Sequence, residues 1–277
     1  MTLIPSATRR LLIRPGGIGD CLVSLPALES LRAGYTEVWV ARQNVALIRF
    51  AQRARAIADT GLDLLEIPGR QAPPALIDSL RSFDSIVSWY GASRDEFRLA
   101  VERIGLPFHF LPALPVDPGR HAADFYLSQT GASLGAAPRI DCPRRGGDFA
   151  VLHPFSGSAA KNWPLERFQE LAARLGRQIP VEWCAGPEEP LECAQRFPDL
   201  YELACWLARA RVFIGNDSGT AHLAAAVGSP VVALFGPTDP RVWAPRGEKV
   251  RVVRTGQSLD GIAVDQVLAA TASILCG

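Results

Sequence analysis

Short apolar runs alternate along this chain with stretches of helical periodicity. Residues 10–14 (RLLIR) read as a strand, and 20–33 as a helix with Leu22, Leu25, Leu28 and Leu31 in register. The pattern continues with a strand at 36–41, a helix at 45–54, a strand at 64–67 and a helix at 74–82. A strand at 85–90, a helix near 94–104 and a strand near 107–111 complete the first half. From 131 to 148 the periodicity lapses into Gly, Pro and Arg, which reads as a linker. It then restarts with strands at 149–155, 180–186, 212–215, 231–236 and 249–253. Helices are expected at 165–176, 189–197, 201–210, 219–228 and 262–275. Strands alternating with helices mean β-α-β units and parallel sheets. The expected architecture is α/β: two Rossmann-like, doubly wound domains, 1–135 and 146–277, facing a cleft. The two halves read as two versions of one design.

Composition narrows the chemistry. Lys plus Arg (29) nearly balances Asp plus Glu (28), so no basic excess marks a nucleic-acid binder. A bound anion has to be held by a local site. The six cysteines show no C-x-x-C pair or metal-ligand spacing, and several lie in apolar periodic stretches, as reduced thiols do. The four histidines, His109, His121, His153 and His222, are too dispersed to suggest a metal cluster, and no D-x-D occurs to clamp one; no cofactor is expected. The N-terminus reaches a strand without a signal-peptide apolar region, and the charge-free stretch 218–238 is interrupted by Gly228, Pro230 and Gly236. These features predict a cytoplasmic protein with no transmembrane segment.

Parallel α/β sheets bind ligands at the carboxyl ends of their strands. Three loops there are unusual. "RPGGIGD" (14–20) has Gly16, Gly17 and Gly19, which allow close backbone approach or positive φ, and places Asp20 at a helix start. Its spacing is neither a dinucleotide fingerprint nor a P-loop; the plain reading of Asp20 is an N-cap. "HPFSGSAAKNWP" (153–164) offers Ser156, Ser158 and Lys161, hydroxyls and a cation suited to phosphate oxygens, although Ser-Gly-Ser is also ordinary loop material. "NDSGTAH" (216–222) puts Asp217, Ser218, Gly219 and Thr220 at the start of a helix, with His222 one turn in. A helix N-terminus attracts anions through its free N–H groups; an ordinary cap with a core histidine is the alternative.

On these residues the sequence resembles glycosyltransferase family 9, the heptosyltransferases of the GT-B class. "RPGGIGDCLVSLPALESL", "LHPFSGSAAKNWPLERFQELAARL" and "FIGNDSGTAHLAAAVGSPVVALFGPTDP" look like its three signatures, in order, and "AGPEEPLE" (185–192) stands where a nucleotide-contacting Glu is expected. The resemblance implies inverting, metal-independent transfer of a sugar, typically heptose, from an ADP-linked donor to an acceptor hydroxyl. Asp20 would be the general base. Lys161, Ser156 and Ser158 would meet the diphosphate, Glu188 the ribose, and Asp217 the donor sugar. Ser218, Gly219 and Thr220 would receive phosphates, and His222 would brace their loop. The implied partners are an ADP-heptose-like donor and a glycan or glycolipid acceptor, as in lipopolysaccharide or other surface-glycan synthesis. Peripheral contact with the inner face of the membrane fits that role. The chain is short for this family, chiefly in its first half, which leaves the acceptor open. A nucleotide-sugar epimerase on a similar fold and a non-catalytic nucleotide-sugar-binding relative are the alternatives. Ser218 lies outside a G-x-S-x-G context, which speaks against a serine hydrolase.

Overall fold

Leu11, Leu12 and Ile13 are fully buried, as a strand covered on both faces requires. In the computed structural model, which describes residues 4–67, 72–115, 117–143 and 146–276, they form the middle strand of a five-stranded parallel sheet. The chain divides into two units, Met1–Ala136 and Ala137–Gly277.

The first unit runs β1 (Arg9–Arg14), α1 (Ile18–Ser30), β2 (Tyr35–Val40), β3 (Arg53–Ala56), α2 (Pro74–Arg81), β4 (Ser85–Ser88), α3 (Asp95–Ile104), β5 (Phe108–Phe110) and α4 (Ala122–Thr130). Its sheet order is β3-β2-β1-β4-β5. Helix α1 buries Cys21 through Leu28 almost without interruption, because α4 packs on the side that the sheet leaves open. Phe97 of α3 is fully buried and meets Tyr90, Phe108 and Phe110 edge-on, with ring centroids 5.2, 5.8 and 6.1 Å away.

The second unit runs β6 (Ala150–His153), α5 (Leu165–Leu175), β7 (Val181–Trp183), α6 (Leu200–Leu207), β8 (Val212–Asn216), α7 (Gly219–Ala226), β9 (Val231–Leu234), α8 (Pro240–Trp243), β10 (Val250–Val253) and α9 (Val264–Cys276). Its order is β10-β9-β8-β6-β7, again all parallel. The reversal of strand order, where doubly wound sheets bind ligands, falls between β1 and β4 in the first unit and between β6 and β8 in the second. The loops carrying Asp20, Lys161 and Asp217 all leave strands at these reversals.

Several elements differ from the sequence expectation. Residues 45–54 do not form a helix: a 3-10 turn spans Arg42–Leu47, and strand β3 begins at Arg53. β3 reads Arg-Ala-Arg-Ala because it is an edge strand and buries little, so no apolar run announces it. The apolar 64–67 stretch is not a strand but part of the 3-10 turn Leu62–Glu66, which drops Leu62 and Leu65 into the core. Residues 189–197 are not helical either. Pro190 interrupts them, and Gln195 instead pairs with the continuation of β7, its N–H donating to the Trp183 carbonyl at 2.7 Å. Helix α4, nine residues long, and α8, a single turn, have no counterpart in the sequence pattern. Of the expected linker, residues 137–143 pack into the second unit: buried Ile140 donates its N–H to the Ala226 carbonyl at 3.0 Å. Positions 144 and 145 lie outside the described residues.

Replacing Phe97 by Ala removes the ring at the centre of the aromatic cluster and should cost about 3–5 kcal/mol. Leu99→Ala, on the exposed face of the same helix, should cost within about 0.5 kcal/mol. Urea unfolding of the two variants checks the difference.

Candidate functional site

In the second unit three neighbouring strands, β9, β8 and β6, send loops to one carboxylate. Asp217, the residue after β8, is 8% exposed at its side chain and 3.1 Å from the Lys161 ammonium. The same carboxylate oxygen, Oδ2, accepts the hydroxyl hydrogen of Thr238, from the loop after β9, at 2.5 Å. A buried carboxylate needs such partners, since desolvation otherwise penalises its charge.

The loop that brings Lys161 is fastened at both ends by Asn216. This buried amide accepts from the Trp163 N–H at 3.1 Å and donates to the Pro154 carbonyl at 2.8 Å. Trp163 is itself buried; its indole N–H donates to the Ile262 carbonyl at 3.0 Å, and its ring stands edge-on against Phe168. Inside the loop, the Ser156 hydroxyl lies 2.8 Å from both the Ser158 carbonyl and Asn162 Oδ1. It therefore shapes the loop, while Ser158 is exposed at the start of the 3-10 turn Ala159–Lys161.

Ser218, not Asp217, caps α7. Its Oγ accepts from the Ala221 N–H and its carbonyl from the His222 N–H, both at 3.4 Å. The amides that such a helix start leaves for a ligand are the first ones, those of Gly219 and Thr220. His222 is buried one turn in. Ser156, Ser158, Lys161, Asp217, Ser218, Gly219, Thr220 and His222 thus all belong to the loops and helix start at one strand reversal.

Of the two adjacent glutamates in the loop after β7, one faces solvent and the other the interior. Glu188 is exposed. Its neighbour Glu189 turns inward, where Oε2 accepts from the Gly186 N–H at 2.6 Å and lies 3.3 Å from His153 Nε2. Burial pushes the Glu189 carboxyl up, but His153, the Gly186 amide and Arg196 outweigh it and hold it below its ordinary value. Glu189 anchors the loop on which Glu188 stands. Neither its orientation nor the His153 contact could be read from two adjacent glutamates.

In the first unit, Asp20 is not the N-cap of α1 but its third residue. Gly17 occupies the cap position, and its N–H donates to Asp20 Oδ2 at 2.9 Å, half of a capping box. The carboxylate stays 34% exposed, with Oδ1 3.7 Å from buried Arg14. Arg14 spends its fork on Ser24 Oγ, the Pro15 and Asp20 carbonyls and Tyr126 OH, at 2.9–3.3 Å. Asn44, also buried, donates to the Gly16 and Gly17 carbonyls at 3.2 Å. Gly16 has φ +116°, and a Cβ there would lie 2.8 Å from Asp20 Oδ2, so glycine is required twice over. Gly19 sits within the first turn. Cys21, next to Asp20, is buried, which pushes its thiol up to about 12 and removes it as a nucleophile.

Asn216→Leu would leave the Trp163 N–H and the Pro154 carbonyl buried without partners. The expected loss is about 2–4 kcal/mol in urea unfolding. Stability equal to the wild type would show that the loop is held by Trp163 alone.

Comparison with known proteins places this geometry. The profile of glycosyltransferase family 9 (heptosyltransferase) matches residues 89–264, more than half of the chain. Lipooligosaccharide heptosyltransferase 2 of Haemophilus influenzae is 31% identical over 164 residues, which cover 52% of this chain and 44% of that protein. Lipopolysaccharide heptosyltransferase 1 of Escherichia coli K12 is 32% identical over 127 residues, covering 40% and 39%. The matched region thus spans less than half the length of these curated relatives. Among solved structures, the family 9 glycosyl transferase of Veillonella parvula superposes with a TM-score of 0.76 at 19% identity, covering 98% of each chain. Escherichia coli heptosyltransferase WaaC with ADP gives 0.70 at 20% identity, covering 96% of this chain and 99% of that one. At such identities the likeness speaks for the fold, which is that of the GT-B class. Fold, signature residues and profile agree: the chain belongs to glycosyltransferase family 9.

Proposed function

We propose that this chain transfers a sugar from a nucleoside-diphosphate donor to an acceptor hydroxyl, with inversion and without a metal. The observation that carries the reading is the meeting, at one strand reversal, of the Lys161 ammonium with the start of α7. A cation and free helix amides together match the charge that builds on a departing diphosphate. The Gly219 and Thr220 amides and the Ser218 and Thr220 hydroxyls receive phosphate oxygens, with the exposed Ser158 hydroxyl beside them. Asp217 serves the donor sugar, and Glu188 the ribose.

Asp20 is the general base. The Gly17 N–H fixes one carboxylate oxygen, and the carboxylate remains partly open to solvent. It takes the proton of the acceptor hydroxyl as that oxygen attacks the anomeric carbon. The bond from that carbon to the phosphate oxygen breaks, and its electron pair leaves on the diphosphate. Attack opposite the leaving group inverts the centre.

The sugar is proposed to be heptose and the base adenine. The named relatives are lipopolysaccharide and lipooligosaccharide heptosyltransferases, and structural neighbours were solved with ADP and with ADP-2-deoxy-2-fluoro heptose. The acceptor is then a glycan or glycolipid of surface-polysaccharide synthesis, met at the inner face of the membrane. Among the described residues no helix is long and apolar enough to cross a membrane.

Titration with ADP tests the donor site. Gly219→Val should abolish binding while the protein stays folded, because a branched side chain fills the phosphate's place, and Lys161→Ala should weaken both binding and turnover. Unchanged affinity in Gly219→Val would overturn the assignment. Asp20→Asn should lower turnover by about 10²–10⁴ with donor affinity nearly unchanged. Chelator should leave wild-type transfer intact; strict dependence on Mg²⁺ would contradict the metal-free chemistry.

A further inference from the structure

Lys161 has two demands on it. It is paired with Asp217 at 3.1 Å, and the proposed reaction needs its charge on the diphosphate. Asp217 is 8% exposed, so a departing ammonium would leave a buried carboxylate with little water to replace it. The structure supplies a second partner on the same oxygen: the Thr238 hydroxyl, 2.5 Å from Oδ2, within the short range of a hydrogen bond to an ionised acceptor.

The backbone holds Thr238 in place. It follows β9 between Pro237 and the Asp239-Pro240 pair. Asp239 caps α8 through the Arg241 N–H at 2.9 Å, and Phe235 is tied to the Val253 carbonyl at 3.0 Å. The turn is therefore fixed on both sides of the threonine. Because β9, β8 and β6 are adjacent, Thr238 and Lys161 reach Asp217 from the two strands flanking its own.

We propose that Thr238 is a positioning residue of the donor site, holding the Asp217 carboxylate so that Lys161 can turn to the diphosphate. A hydroxyl suits this task. It satisfies the carboxylate without adding a charge that would draw the diphosphate toward Asp217. The choice of lysine at 161 fits the same scheme. The chain has two lysines, Lys161 and Lys249, against twenty-seven arginines. A guanidinium would grip a carboxylate with a planar two-pronged fork, whereas an ammonium carries three donors on a rotatable stem and can serve carboxylate and phosphate in turn.

The inference rests on the nucleoside-diphosphate reading, and one experiment separates the two. Protein labelled with ¹⁵N-lysine has two side-chain nitrogen resonances, and the exposed Lys249 serves as the internal reference. On titration with ADP, the wild-type Lys161 resonance should move and that of Lys249 should not. Thr238→Val should weaken ADP binding roughly tenfold and shift the Lys161 resonance even without ADP, whereas Thr238→Ser should stay within about twofold of wild type. Once Asp217→Asn has removed the carboxylate's charge, Thr238→Val should have little further effect. If Thr238→Val does not fold, Thr238→Ala carries the same expectations. Wild-type protein that binds no nucleoside diphosphate overturns the donor reading and this inference with it. Wild-type binding with equal affinity in Thr238→Val overturns the inference alone. So does a Thr238→Ser variant as impaired as Thr238→Val, which would assign the effect to packing.

Discussion

The second unit's site depends on one buried amide. Asn216 ends β8, has no exposed surface, and must satisfy a donor and an acceptor away from water. It does so on the two ends of a single loop, Pro154 and Trp163. Everything between them, including Ser156, Ser158 and Lys161, is thereby set at a fixed height above the sheet. Because Asp217 follows Asn216 in the chain, the residue that pins the loop and the residue that receives its lysine move together. A change at either would be felt by both.

The first unit solves a similar problem with charge. Arg14 lies buried under its glycine-rich loop and spends its guanidinium on a hydroxyl, two carbonyls and a tyrosine. Burial pushes the Tyr126 hydroxyl up, with Arg14 pulling partly against it, so the tyrosine keeps its proton and donates it to the Ala113 carbonyl at 2.8 Å. Asp20 stands at the open end of this chain of bonds. The amide of Gly17 that ties Asp20 to the helix start also fixes one of its carboxylate oxygens.

Much of this was legible in the sequence, for identifiable reasons. Central strands of parallel sheets must be apolar on both faces, so Leu11–Ile13 and Val212–Ile214 announce themselves, and the loops after them stand out by contrast. Two kinds of feature were hidden. One is local structure whose composition follows its exposure, such as the Arg-Ala-Arg-Ala edge strand or the 3-10 turn that buries Leu62 and Leu65. The other is pairing between distant residues. That Asn216 would find Pro154 and Trp163, that Thr238 would join Lys161 on Asp217, and that Glu189 would turn in while Glu188 faces out all depend on which strands become neighbours. Spacing along the chain does not encode that directly.

The two sheets reverse their winding at different points, and this bears on the expectation that the halves repeat one design. In the first unit the third strand of the chain is an outer edge; in the second, the third strand is the centre. An edge position tolerates Arg53 and Arg55, whereas a central one demands the wholly buried Val-Phe-Ile-Gly-Asn of β8. Aligning the halves strand by strand would thus set the most solvent-tolerant segment of one against the least tolerant segment of the other. Leaving out β3 and β10 restores a common order, β2-β1-β4-β5 against β7-β6-β8-β9, so the two designs differ by one edge strand at opposite rims.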